Sequence, residues 1–315
     1  MLKLLFIADP LDTFKVYKDS SLAMMKAAFS AGHQVFHANA NSLCFVNQEV
    51  QANCQELAID LAKDPWYGVT DQKLQRLQHF DVVVMRQDPP FTVEYLANTW
   101  LLSQAERLGV RIINTPSSLR DNSEKISILE FPELIAPTLV SRSLQQIKEF
   151  HAQHQDIVIK PLDGMGGMGV FRVGPDGLNM GSIVETLGEY GKRSIMAQKY
   201  LPEIKDGDKR LLLIDGLAVP YVLARIPQDG DIRGNLAAGG KGLAKPLSEN
   251  EQAIATRLGP ILKNRGLFLV GLDIIGNYLT EINVTSPTGF VEITEQTEFD
   301  VAKFWLDQLE KSIRD

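Results

Sequence analysis

Gly271-Leu-Asp-Ile-Ile-Gly-Asn-Tyr-Leu-Thr-Glu-Ile-Asn-Val-Thr-Ser-Pro287 reads as a metal-binding β-hairpin. Apolar residues alternate with polar ones on both sides of Gly276-Asn277, a dipeptide suited to a tight turn. Glu281 and Asn283 stand two apart, so a strand projects them from one face. Asp273 precedes the turn by a similar distance, opposite Glu281 or diagonal to it depending on register. Two carboxylates and an amide oxygen on one face form a hard-oxygen site for Mg²⁺, which keeps waters and shares ligands with substrate phosphates. Asp273, Glu281 and Asn283 are therefore the candidate metal ligands, with Mn²⁺ as an alternative ion. An ordinary exposed hairpin would show the same residues, so the segments upstream decide.

Ile157-Val-Ile-Lys160-Pro-Leu-Asp-Gly164-Met165-Gly166-Gly167-Met-Gly169 is a strand, a lysine and a four-glycine loop. Glycines let successive backbone N–H groups turn inward on an anionic oxygen, as in a phosphate-binding nest. No Gly-Lys-Ser/Thr follows, so this is not a Walker A loop, and the next element reads as a strand, unlike a dinucleotide fingerprint. Lys125 reads as an early helix position, unfavourable to the macrodipole and so aimed at a ligand. Met196-Ala-Gln198-Lys199-Tyr200-Leu201-Pro202 is an edge strand entering a linker. Its backbone would bind the edge of an adenine, with Tyr200 and Leu201 packed around the ring. Arg210 opens one strand and Arg225 ends the next, where two guanidinium groups would clamp phosphate or carboxylate oxygens. The glycine-rich run Ile226–Gly242 lacks periodicity and reads as a mobile lid.

At 315 residues the chain exceeds the usual size of one core, so two or three subdomains are expected. It is 44% hydrophobic and 23% charged, as ordinary globular proteins are. A net charge of −7 speaks against a dedicated nucleic-acid binder. No signal peptide and no bilayer-length apolar run are read, so no membrane partner is expected. Cys44 and Cys54 fit no metal or redox spacing and are taken as free thiols of a reducing cytoplasm. His151 and His154 share a helix face without further ligands, and Trp66, Trp100 and Trp305 are expected in cores or at an interface.

The pattern of elements predicts an α/β protein, α+β in part. A doubly wound open sheet is expected from strands at Lys3–Ala8, Gln34–His37, Asp81–Arg86 and Arg111–Ile113, with helices at Ser20–Ala31 and Val93–Leu108. Leu43–Asn53 reads as a hairpin turning at Asn47-Gln48. Arg86, Asp88 and the loop Asp9–Ser21 fall at carboxyl ends of strands, where ligands gather in such sheets. A linker from Asn114 runs into a helix capped near Asn122 or Ser123. A small antiparallel unit follows, with strands at Thr138–Val140, Ile157–Lys160, Gly169–Val173 and Ser194–Gln198 and helices at Leu144–Gln153 and Ile183–Tyr190. Strands near Asp208–Ile214 and Ala218–Arg225, the opening hairpin, and helices at Ser248–Arg265 and Phe299–Ile313 complete the chain.

With these parts in this order the chain resembles the ATP-grasp superfamily and, within it, bacterial glutathione synthetases. The resemblance rests on Lys18-Asp-Ser-Ser21, Met85-Arg-Gln-Asp-Pro-Pro-Phe91, Asn114-x-Pro-x-Ser-Leu-Arg-Asp121, Lys160-Pro-Leu-Asp-Gly-Met-Gly-Gly167 and Lys205-Asp-Gly-Asp-Lys-Arg210. It continues through Ala224-Arg-Ile-Pro-Gln228, Arg233-Gly-Asn-Leu-Ala-Ala-Gly-Gly240 and Thr280-Glu-Ile-Asn-Val-Thr-Ser-Pro-Thr288. It implies an ATP-grasp fold divided at 1–122, 123–201 and 202–315, with ATP between the last two units. It implies ligation of γ-glutamylcysteine to glycine through an acyl phosphate, releasing ADP and phosphate. Arg210, Arg225 and Arg233 would be catalytic. Lys125, Lys160, Gly164–Gly167, Gln198–Leu201 and Asp208 would bind the nucleotide. Ser20, Arg86, Gly239, Gly240, Ser286 and Thr288 would bind substrate, in a cytoplasmic homo-oligomer. The alternatives are another carboxylate–amine ligase, a small-molecule kinase, or a non-catalytic ATP-binding regulator on the same fold.

Overall fold

The structure is a computed structural model and describes residues 1–234 and 239–314. Residues 235–238, part of the segment read as a lid, lie outside the described residues.

Seven strands form the first sheet: β1 (Lys3–Ala8), β2 (Gln34–Asn39), β3 (Cys44–Val46), β4 (Glu49–Ile59), β5 (Tyr67–Arg76), β6 (Val82–Met85) and β7 (Ile112–Ile113). β2, β1, β6 and β7 run parallel, and the fully buried Leu4, Leu5, Phe6 and Ile7 mark β1 as covered on both faces. Helix α1 (Ser20–Ser30) opens where the Asp19 carboxylate accepts the Leu22 N–H at 2.9 Å. Helix α2 (Val93–Arg107) is capped by Thr92 in the same way.

The other half of this sheet departs from a doubly wound pattern, because β3, β4 and β5 pair antiparallel. The hairpin at Asn47-Gln48 is present, with both residues at positive φ as a two-residue hairpin turn requires. β5 is absent from the sequence reading because most of its residues are exposed, so no burial alternation marks it.

The stretch Asn114–Lys125 also differs from expectation. Pro116–Asp121 is itself a helix, α3, and Asn122 closes it by donating to Ser118 O at 2.8 Å. The Asn122 signal read as the start of a helix is thus the end of another. Lys125 sits in a turn, so its macrodipole argument does not hold.

The second sheet is antiparallel: β8 (Thr138–Ser141), β9 (Ile157–Pro161), β10 (Phe171–Val173) and β11 (Ile195–Lys199), in the order β10-β9-β11-β8. Helices α4 (Leu144–His154) and α5 (Met180–Leu187) cover it over a separate core that includes Ile147, Ile159, Val184 and Ile195. The third sheet contains β12 (Asp208–Ile214), β13 (Leu217–Ile226), β14 (Lys241–Pro246), β15 (Leu269–Ile275) and β16 (Tyr278–Asn283), in the order β14-β13-β12-β15-β16. Strand β14 therefore takes Lys241 and Gly242 from the proposed lid. Helices α6 (Glu249–Asn264), α7 (Phe290–Gln296) and α8 (Val301–Arg314) follow; α7 was not read from the sequence.

Apolar packing is continuous from Leu5 and Met85 of the first sheet to Leu272 and Ile282 of the third. Helix α8 returns to the first sheet, where Trp305 packs on Phe6 with ring centroids 6.1 Å apart. Trp66 and Trp305 are buried, whereas Trp100 is 53% exposed on α2.

Candidate active site

One residue decides the geometry of the ribbon. Across the Gly276-Asn277 turn, Ile275 pairs with Tyr278 and Ile274 with Leu279, which by simple counting would bring Asp273 opposite Thr280. A bulge at that point sets Asp273 opposite Glu281 and Gly271 opposite Asn283. The extra residue flips the side-chain parity of β16 and brings Asp273, Glu281 and Asn283 to one face. Thr280 Oγ1 donates to Asp273 O at 3.1 Å and ties the bulge down. Asn283 Nδ2 donates to Gly271 O at 3.2 Å, which leaves Asn283 Oδ1 for a ligand.

Adjacent strands bring the arginines to the same place. Asp208 of β12 pairs with Arg225 of β13, and Arg210 of β12 with Asp273 of β15. Arg210 grips Asp273 with both arms, Nε to Oδ1 at 2.5 Å and Nη2 to Oδ2 at 2.9 Å. Arg225 Nη2 bridges Asp208 Oδ2 at 2.6 Å and Asp273 Oδ2 at 2.8 Å. All four side chains are buried, so their charges meet in a medium that screens them weakly. Burial pushes the Asp273 carboxyl up, but Arg210 and Arg225 outweigh it and hold the group well below the usual carboxylate range. For Asp208 burial wins over Arg225 and raises the carboxyl to about 6. Its Oδ1 is buried without a hydrogen-bond partner.

Two lysines approach from outside this sheet. Lys125 Nζ lies 3.4 Å and Lys160 Nζ 3.6 Å from Glu281 Oε1. Burial lowers the Lys160 pKa, which Glu281 partly restores. Lys125 Nζ also donates to Gly164 O at 2.5 Å, fastening the glycine loop to the linker. A Cβ on Gly164 would lie 2.7 Å from Pro161 Cγ and 2.9 Å from Met168 O, so the turn leaves no room for a side chain. Gly166 and Gly167 have φ of +60° and +83°.

Between the second and third sheets lies a cleft lined by Lys160, Gln198–Leu201, Asp208, Arg233 and Glu281. The Lys199 and Tyr200 N–H groups are taken by Pro137 O at 3.0 Å and Asp156 O at 2.9 Å. The N–H of Leu201 is the next one along, and neither bond uses it. The Tyr200 ring is stiffened by Arg172, whose guanidinium lies 3.9 Å from the ring centroid while both of its arms hold Asp156. Arg233 reaches the cleft, but its side chain pairs with Asp231. Gly239 O accepts from Gln228 Nε2 at 2.8 Å, and no described contact joins Gly239 or Gly240 to the other expected substrate groups.

Those other groups gather at the first sheet. Arg86, 4% exposed, donates to Ser21 Oγ at 2.9 Å and to Pro287 O at 3.1 Å. Ser286 Oγ donates to Asp88 Oδ1 at 2.5 Å. Ser20 Oγ accepts the Phe290 N–H at 3.3 Å, and Thr288 is exposed beside it in sequence. Glu124 was missed: its Oε1 accepts from Val284 N, Thr285 N and Thr285 Oγ1 at 3.1, 3.2 and 2.9 Å. One acidic residue in a linker carries no local signal for a partner 160 positions away.

An antiparallel sheet holding cations and carboxylates, roofed by a second sheet with a lysine and a glycine loop, defines the ATP-grasp class. Solved structures agree in fold. D-cycloserine synthetase DcsG superposes with a TM-score of 0.70 at 16% identity, covering 98% of this chain and 99% of that one. The ATP-grasp ligase PsnB, complexed with minimal precursor, Mg and ADP, gives 0.63 at 14% identity over 99% and 98%. Family models are more specific: the N-terminal domain of prokaryotic glutathione synthetase matches residues 2–120 and its ATP-grasp domain residues 124–298. The glutathione synthetase of Ralstonia nicotianae is 52% identical over 311 residues, 99% of this chain and 96% of that protein. That of Escherichia coli O6:H1 is 46% identical over 314 residues, 100% and 99% of the two chains. The chain belongs to the prokaryotic glutathione synthetase family, and it is an ATP-dependent ligase of glutathione biosynthesis.

Proposed function

We propose that the shared face of β12, β13, β15 and β16 is where ATP phosphorylates the cysteinyl carboxylate of γ-glutamylcysteine and glycine's amine then displaces the phosphate. A carboxylate is a poor electrophile, and an acyl phosphate supplies the leaving group it lacks. The observation that carries this assignment is the convergence of four cations, Lys125, Lys160, Arg210 and Arg225, on three carboxylates, Asp208, Asp273 and Glu281. That surplus of positive charge suits a polyphosphate tail.

Asp273, Glu281 and the free Oδ1 of Asn283 fit Mg²⁺ or Mn²⁺, being hard oxygens on one face with the unpartnered Asp208 Oδ1 close by. Such an ion would neutralise charge developing on the phosphate oxygens. Arg210 and Arg225, oriented by Asp273, would bond the transferring phosphoryl group and then the tetrahedral intermediate. Each donor of this kind is worth about 3 kcal/mol in the transition state. Lys125, Lys160 and the Gly164–Gly167 loop would hold the phosphate tail, with Gln198–Leu201 around the base. Closure of residues 226–242 with Arg233 would exclude water from the acyl phosphate.

The same reading divides the chain at 1–122, 123–201 and 202–315. It puts the protein in the cytoplasm, supported by two free thiols. Among the described residues no helix is long and apolar enough to cross a membrane. Self-association is supported by α2, where Val93 and Trp100 are 76% and 53% exposed two turns apart. Phosphate release that requires ATP, γ-glutamylcysteine and glycine together, with glutathione as product, is the expected result. Equal release without an amine acceptor would assign a kinase instead.

A further inference from the structure

Two of the three proposed metal ligands, Glu281 and Asn283, stand on the outermost strand of their sheet. Among the described residues β16 pairs only with β15, so its outer main-chain groups have no strand beside them. An edge is where a sheet opens most readily, whereas a divalent ion asks for oxygens placed within about 0.2 Å. Something other than a strand has to hold that edge.

Glu124 takes the place of the absent neighbour. The Ile282 N–H donates to Glu124 O at 2.9 Å and the Val284 N–H to Glu124 Oε1 at 3.1 Å. These are alternate residues, whose N–H groups leave a strand on one edge. Asn283 lies between them and is thus gripped from both sides by one residue. The same Oε1 accepts the Thr285 N–H at 3.2 Å and the Thr285 hydroxyl at 2.9 Å. Two further groups of the linker act on the same strand. Asn114 Nδ2 donates to Val284 O at 2.7 Å, and Lys125, next to Glu124 in sequence, lies 3.4 Å from Glu281 Oε1.

We propose that Glu124 is a positioning residue for the metal: its two oxygens fix the end of β16 and so set Asn283 against Glu281 and Asp273. The role rests on the metal assignment made above, and in it Glu124 touches no reacting atom. What it supplies is an acceptor and not a charge, because all three donors to Oε1 are neutral. Without that acceptor the N–H groups of the buried Val284 and Thr285 are orphaned, and the strand end shifts towards other partners.

The test is Mn²⁺ binding in the presence of ADP, read from the paramagnetic resonance of the free ion, beside the Mn²⁺ dependence of phosphate release. Glu124→Ala should weaken Mn²⁺ by about 10- to 100-fold, the usual cost of losing an outer-shell partner, with a smaller fall in kcat once the ion saturates. Glu124→Gln keeps an amide oxygen for the same three bonds and should stay within a few-fold of wild type. A Glu124→Ala protein that melts lower yet binds Mn²⁺ as wild type does would make the residue merely structural and overturn the proposal. Equal damage in Glu124→Gln and Glu124→Ala would mean that the charge itself acts, which overturns it as well. Should Glu124→Ala not fold, Thr285→Val carries the test: several-fold weaker Mn²⁺ is expected, and unchanged affinity sinks the idea. Mn²⁺ binding lost in Glu281→Gln but kept in Glu124→Ala refutes the positioning role alone. Wild type that holds no more Mn²⁺ than ADP itself does refutes the metal assignment and this role with it.

Discussion

Replacing Asp208 by Asn tests the electrostatics of the proposed phosphoryl-transfer face without any ligand. Asp208 is 9% exposed, and burial raises its carboxyl from 3.8 to about 6 despite the neighbouring Arg225. Between about pH 4 and pH 6 the folded chain thus keeps a proton that the unfolded chain has lost, so stability falls as pH rises through that window. A shift of roughly two units at 1.36 kcal/mol each amounts to about 3 kcal/mol, absent below the window and complete above it. Asp273 contributes with the opposite sign, because its carboxyl is held low: its stabilisation is present above the unfolded value of 3.8 and is lost only in stronger acid. The two titrations therefore do not overlap. Asn keeps an acceptor for Arg225 Nη2, and the main-chain O of residue 208, which Arg225 Nε reaches at 3.2 Å, is unchanged. The assay is urea unfolding of both proteins from about pH 4 to pH 7. The stability of the variant relative to wild type should rise by about 3 kcal/mol up to pH 6 and then level. Parallel profiles would refute the burial argument. A wild type that gains on the variant with rising pH would mean that pairing with Arg225 outweighs desolvation.

Glu281→Gln removes the charge of a proposed metal ligand while keeping the size of the side chain, and is expected to cut turnover on the order of 100-fold or more. Its thermal melt without ligand should fall, because the buried Lys125 and Lys160 lose the carboxylate they share, so turnover is compared at a temperature where both proteins are folded; unchanged phosphate release would exclude Glu281 from the proposed metal site. Removal of divalent ions by a chelator should abolish phosphate release, and Mg²⁺ or Mn²⁺ should restore it, whereas full activity in chelator would refute the hard-oxygen site. Trp100→Glu, on the exposed stripe of α2, should lower the mass measured by light scattering if copies associate there, with turnover per chain retained. An unchanged assembly would move the interface elsewhere.

The parts of the fold legible in the sequence are those whose cause is local. Asp19 before α1 and the positive-φ pair Asn47-Gln48 each act on residues within a few positions, so type and boundary follow from neighbours. β5 is missing from that reading because an exposed edge strand buries no alternating face, and its partner β4 alone makes it a strand. The Asn122 error has a related cause: Asn suits either end of a helix, and only the Ser118 carbonyl behind it decides which. For the site, residue types were legible and their partnerships were not. Arg210, Arg225 and Asp273 read as separate candidates for clamp and metal ligand, yet they form one buried network in which the acid orients both arginines.

The ribbon carries the deepest case. Strict alternation with a two-residue turn would pair Asp273 with Thr280 and send Glu281 to the other face, away from Lys125 and Lys160. Nothing in the alternation from Tyr278 to Asn283 announces the bulge, because a period of two looks the same in either register. What selects it is charge at a distance: only the bulged register sets Glu281 on the face where Arg210, Arg225 and both lysines converge. In the straight register the same cations would face Thr280 and lack one carboxylate, at the cost of a buried lysine without a counter-charge. The register of this hairpin is therefore a tertiary property, set by a linker residue and a glycine-loop strand rather than by its own turn.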